Sequence, residues 1–178
     1  MGREIRRVPP NWEHPRHTRE TAKDFRNIGQ YIPMHDQSYQ EASKQWVDGF
    51  LLWNHGKHPE QIKYPDESWV KGVDFWEYDS PPDRDSYRPE FTVEPTWYQV
   101  YETVSEGTPD SPPFATEGEL IEYLCTYGSL HHKEYPDICP ILTRRQAEAF
   151  VDQGSAVSMV INNGVMKTGM QACEDFVK

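Results

Sequence analysis

Histidines, carboxylates and thiols are the side chains through which this chain could do chemistry, and their spacing decides what chemistry is open to it. His14 and His17 stand three residues apart, as do His55 and His58, while His131 and His132 are adjacent, with Asp137 and Cys139 following. Two imidazoles at i and i+3 can reach one ion if their segment is helical, but an ion needs three or four donors. Pro15 and Pro59 interrupt the two spans, so surface or capping histidines account for the pattern and no metal site is expected. Cys125, Cys139 and Cys173 are odd in number and far apart, which fits thiols in a reducing compartment better than a disulfide framework. No base or oxyanion-forming motif accompanies any of them, so buried or idle thiols are expected rather than a nucleophile. A glycine-rich phosphate loop, a G-x-S-x-G elbow, an H-E-x-x-H helix and a C-x-x-C pair are absent from the sequence. The chain reads as a binder more than an enzyme, with no catalytic residue and no cofactor expected.

The best binding candidates lie in WYQVYETVSEGTPDSPP, residues 97–113. Here Trp97, Tyr98 and Tyr101 precede a loop carrying Ser105, Glu106, Thr108 and Asp110. Small-ligand pockets pair stacking rings with a few fixed polar groups, and loops on a rigid element are where these sit. The competing reading is a core strand followed by a proline-rich connection. A phosphate-bearing ligand would also want cations, and Arg6 and Arg7, with Arg3, could supply them if the N-terminal segment folds over the loop. Trp69 and Trp76 are the candidate anchors for a protein partner, because exposed aromatic clusters concentrate binding energy. The acid-rich residues 74–94 could imitate a phosphate track, but Arg84, Arg88 and intervening prolines make a solvated loop the simpler reading.

These residues need elements to position them. Only 36% of the 178 residues are hydrophobic and mean hydropathy is -0.86, yet six Trp, ten Tyr and seven Phe let a small core be built from heavy rings. Fifteen prolines put much of the chain in turns and extended pieces. Ser38 with Glu41 forms a capping box ahead of Tyr39, Ala42, Trp46, Val47, Phe50 and Leu51 at helical spacing, with Gly56 as the stop. Thr116 with Glu119 and Thr143 with Gln146 repeat the signal, and Gly128 and Gly154 end those helices. Residues 96–104 read as a strand, and Asn163-Gly164 between residues 158–161 and 165–167 reads as a tight hairpin. The expected fold is α+β: three or four short helices with a small antiparallel sheet, loop-rich. Residues 1–35 are expected as an extended basic arm. Residues 36–178 are expected as a single globular domain carrying a long Pro- and aromatic-rich loop at 57–96.

The net charge of -11 argues against non-specific nucleic-acid binding, which draws its affinity from Lys and Arg. No apolar run approaches the roughly 18 residues of a membrane helix, so no membrane partner is expected. Without a hydrophobic signal core at the start, the cytoplasm is the expected location.

Two stretches, REIRRVPPNWEHP at residues 3–15 and YQVYETVSEGTPDSPPFATEGELIEYL at residues 98–124, together resemble a family of small uncharacterised proteins of tailed bacteriophages and prophages. The tail, SMVINNG at residues 158–164, is similar to that family's end. The resemblance brings no assigned activity and no catalytic residues. It implies expression in the cytoplasm of a bacterial host. By analogy of context it implies a non-enzymatic accessory protein that binds and inhibits or redirects a host component, such as a defence system. The alternatives are a binder that sequesters a nucleotide-like signalling molecule, a metal-dependent hydrolase, and a virion component. Homo-oligomerisation is compatible with each.

Overall fold

The computed structural model describes residues 2–103 and 107–176. The fold is α+β, as expected, but the chain divides into two compact units: residues 35–90 form one, and residues 1–34 with 91–178 form the other. The single domain expected for residues 36–178 is therefore corrected to one unit inserted into another.

In the larger unit, the segment expected as an arm is the middle of a sheet. Strand β1 (Arg3–Val8) lies between β4 (Trp97–Glu102) and the short β5 (Ser155–Ala156), antiparallel to both. The basic residues that suggested a solvated arm alternate along β1, and the side-chain period of two sends them to opposite faces. Arg3, Ile5 and Arg7 pair with Glu102, Val100 and Tyr98 on one face, and Glu4, Arg6 and Val8 pair with Tyr101, Gln99 and Trp97 on the other. The first face meets α4 (Glu117–Thr126) and α5 (Arg144–Gln153) in a core of Val100, Leu120, Leu124, Leu142, Ala147 and Phe150, joined by Ile5 and Tyr98. Both helices begin at the capping boxes read in the sequence, Thr116 with Glu119 and Thr143 with Gln146. Gly128 and Gly154 follow them with positive φ.

The second face is covered by residues 12–34. Trp12 Nε1 donates to the Tyr101 hydroxyl at 3.2 Å, and His14 Nδ1 lies 3.1 Å from the same oxygen. Arg6 Nη1 donates to the Met34 carbonyl at 2.6 Å, with its guanidinium 4.4 Å above the Tyr101 ring.

At the far end of the chain, β6 (Met159–Asn162) and β7 (Val165–Thr168) form the expected hairpin. Asn163 and Gly164 both take positive φ, 49° and 78°, as a primed two-residue turn requires. The chain then enters α6 (Gly169–Ala172), opened by a further capping box of Thr168 and Gln171.

In the smaller unit, β2 (His35–Ser38) leads into α1 (Tyr39–Asn54), and the Ser38–Glu41 capping box is present. Residues 57–90, the greater part of the stretch 57–96 read as a long loop, hold α2 (Pro59–Lys63), α3 (Phe75–Tyr78) and β3 (Tyr87–Arg88), the last parallel to β2. Aromatic packing orders them. Trp53, Val70 and Phe75 form a core of their own, flanked by Trp46, Phe50, Tyr64, Val73 and Tyr78. Both buried-edge indoles are satisfied: Trp53 Nε1 donates to Val73 O and Trp46 Nε1 to Asp79 O, each at 2.9 Å. Among the described residues, no helix is long and apolar enough to cross a membrane.

Candidate functional site

The larger unit holds three features with functional potential: a buried ionic centre, an aromatic groove and an apolar hairpin. The ionic centre is built where β1, β4 and two loops converge. Arg3 Nε donates to Asp110 Oδ2, and Arg3 Nη2 stands 3.2 Å from Glu102 Oε1 and 3.4 Å from Cys139 Sγ. All four residues are buried. The register of β1 against β4 sets Arg3 opposite Glu102. Asp110 is fixed by its own backbone, its N–H donating to Val100 O at 2.8 Å and its carbonyl accepting from Leu130 N at 2.9 Å. The second of those bonds brings residues 129–131 to the centre, and one ligand atom from each of Glu102, Asp110 and His131 falls within 4.8 Å of the others.

Burial raises the Asp110 carboxyl above its ordinary value, aided by Glu102, while Arg3 and Ser129 pull in the opposite direction without cancelling it. A carboxyl raised by desolvation beside a guanidinium could serve as a general acid, but the side chains that form this centre are buried. Burial also raises the thiols of Cys125 and Cys173, which keeps them protonated and poor nucleophiles. The three cysteines are free.

The groove is an open depression of about 890 Å³ at the start of α4. Trp97, Phe114, Tyr123 and Tyr127 supply its rings, and Glu119, Glu122 and Arg144 its charges. Phe114 and Tyr123 stand 5.1 Å apart centre to centre, and Tyr123 and Tyr127 5.4 Å. Arg144 is tied to Glu122 and, at 3.6 Å, to Glu148. Its charge is therefore already matched, and the groove suits a planar uncharged ligand or a peptide better than a phosphate.

The hairpin is the most exposed apolar element. Met159, Ile161 and Met166 share one face, since Ile161 pairs with Met166 and Met159 lies two positions from Ile161 on the same strand. They are 49%, 71% and 66% exposed. The two-stranded sheet they belong to has no further strand on either edge among the described residues.

The candidates named from sequence are divided among these features. Trp97 lines the groove. Tyr98 is half-buried under the Arg7 guanidinium, 3.6 Å from its ring centre. Tyr101 and Arg6 are buried against each other and against Trp12, His14 and Met34, where they brace the fold and present no surface to a ligand. Asp110 belongs to the ionic centre, and the Thr108 carbonyl accepts from Glu102 N at 2.9 Å. Ser105 and Glu106 lie outside the described residues. Trp69 and Trp76 belong to the smaller unit, 41% and 50% exposed, resting on Tyr64 and Tyr78 and on Phe50 respectively. Of the six tryptophans only Trp53 is buried. The reading of residues 97–113 placed Trp97 and Asp110 among the features but did not find Glu102, and His131, named from sequence beside His132, Asp137 and Cys139, was not joined to Asp110. Nor did it find the hairpin face, whose signal, three large apolar residues flanking an Asn-Gly turn, was used only to assign structure.

Comparison of the chain with protein-family models, with curated proteins and with solved structures gives no match.

Proposed function

We propose that this chain is a non-enzymatic accessory protein of phage origin that acts by binding a host protein, and that hairpin β6–β7 is its docking element. The observation that carries the reading is the exposure of Met159, Ile161 and Met166 on one face of a strand pair. A hairpin this short gains little from packing on itself, and exposed apolar side chains grouped on one face mark an interaction site. Methionines suit such a face because their flexible thioethers adapt to a partner's shape. The free edges add main-chain donors and acceptors that a partner strand can pair with. The net charge of -11 opposes docking of a second copy and favours a host partner with a basic surface around its apolar contact. The phage origin rests on the resemblance of residues 3–15 and 98–124, and inhibition of a host defence rests on that context.

A second reading, capture of a small planar molecule, is favoured by the groove of Trp97, Phe114, Tyr123 and Tyr127. Native mass spectrometry of the untagged protein, purified gently from bacterial cells, separates the readings. A host protein retained in a defined complex supports the first, and a bound small molecule supports the second. A homodimer abolished by Ile161→Asp overturns the first in favour of self-association.

A further inference from the structure

We propose that Glu102, Asp110 and His131 form a binding site for one first-row divalent cation, Mn²⁺ or Zn²⁺, held at the buried end of the sheet. Two observations carry it. First, one carboxylate oxygen from Glu102, one from Asp110 and one imidazole nitrogen from His131 lie within 4.8 Å of one another. Bonds of about 2.0–2.2 Å to a shared ion require these atoms to close by roughly an ångström; His131 is half-buried, on the loop after α4.

Second, Asp110 Oδ1 is a polar atom on a side chain with no solvent exposure and has no hydrogen-bond partner among the described residues, Arg3 Nε lying on Oδ2 and the Ser129 hydroxyl near the carboxyl but outside bonding geometry to Oδ1. A buried oxygen left without a partner costs about 1–3 kcal/mol, more for a charged group. The Asp110 carboxyl thus carries an oxygen without a hydrogen-bond partner in the same cluster as a second carboxylate and an imidazole.

The donor set selects the ion. Two carboxylate oxygens and one imidazole match Mn²⁺ or Zn²⁺. Cys139 Sγ accepts from Arg3 Nη2 at 3.4 Å, which directs it towards the guanidinium. His132 cannot replace His131: its Nδ1 is 2.7 Å from the Cys139 carbonyl, in the turn that closes the loop. This inference stands apart from the docking role of the hairpin, because an ion here orders loops 107–113 and 129–141 whatever the chain binds.

The test is calorimetric titration of the chelator-treated full chain with MnCl₂ and, separately, with ZnCl₂, with native mass spectrometry for stoichiometry. One cation per chain is expected for the wild type and for His132→Ala, with binding weakened at least about tenfold in His131→Ala and in Asp110→Asn. If Asp110→Asn does not fold, His131→Ala, at a half-buried loop position, carries the test. Failure of the wild type to bind either ion overturns the proposal, as does undiminished binding by His131→Ala or loss confined to His132→Ala.

Discussion

At the scale of the residue, proton accounting around Tyr101 shows how tightly the larger unit is specified. The Tyr101 hydroxyl has one proton and two neighbours that can accept it: Gln99 Oε1 at 3.0 Å and His14 Nδ1 at 3.1 Å. Gln99 is held in that orientation because its Nε2 donates to Ser111 O at 2.8 Å. His14 Nε2 lies 2.7 Å from the Ile32 carbonyl and must be its protonated nitrogen, which leaves Nδ1 as an acceptor in the neutral ring. Burial holds His14 below its ordinary value of 6.5, with Arg6 and Arg16 adding to the effect and Ile32 opposing it. The sign follows from linkage: the unfolded chain takes up a proton near 6.5, and the folded chain resists it until lower pH. Stability is therefore full above that value and declines as pH falls from it towards the depressed folded value. Thermal melts of wild type and His14→Gln at about pH 7.5 and about pH 5.5 should show the larger loss in the wild type. Equal losses would remove His14 from the account. None of this was legible in the sequence, because the i,i+3 spacing of His14 and His17 advertises a ligand pair. The strand that buries Tyr101 is set by residues some ninety positions away.

At the scale of the element, the sequence was informative wherever a local rule governs. The capping boxes at Ser38, Thr116 and Thr143, the left-handed glycines after α4 and α5, and the Asn-Gly turn are each decided within a few residues, and each stands where the sequence put it. The same Thr-x-x-Gln signal at Thr168 and Gln171, and Pro59 at the first turn of α2 behind the His58 cap, were there to be used and open two short helices. Thr143→Ala removes the oxygen that accepts from Gln146 N, and α5 carries the buried Ala147 and Phe150. Its expected cost is about 1 kcal/mol, read as a lower urea midpoint at unchanged m-value. An unchanged midpoint would mean that packing alone fixes the helix start. What the sequence obscured was β1, since basic residues flanked by prolines read as a solvated arm until strands are known to pair with both edges and other segments to cover both faces. Gly107 belongs to the same non-local class: with φ of +89° and the Met34 carbonyl occupying the place a Cβ would take, no larger residue fits where the covering segment meets β4's loop.

At the scale of the whole molecule, the charge, the ring-rich composition and the α+β class were legible, while the division into two units was not. A 57–96 loop crowded with prolines and aromatics is locally indistinguishable from a small domain; what distinguishes them is that Trp53 of α1 stacks on Tyr78 at 4.6 Å and packs against Phe75 at 5.7 Å. Trp53→Ala should cost about 3–5 kcal/mol of that core, and hydrogen exchange should show α1 losing protection while α4 and α5 keep theirs. Loss spread evenly over both units would contradict separate cores.

The central claim concerns the hairpin, and an affinity capture from bacterial lysate with quantified recovery tests it most directly when three baits are compared: wild type, the double variant Ile161→Asp with Met166→Asp, and the groove variant Tyr127→Ala. The account predicts one basic host protein recovered in near-equal amount with wild type and Tyr127→Ala and lost with the double variant, whose fold is verified by circular dichroism. Recovery undiminished by the double variant, or abolished by Tyr127→Ala alone, would contradict it.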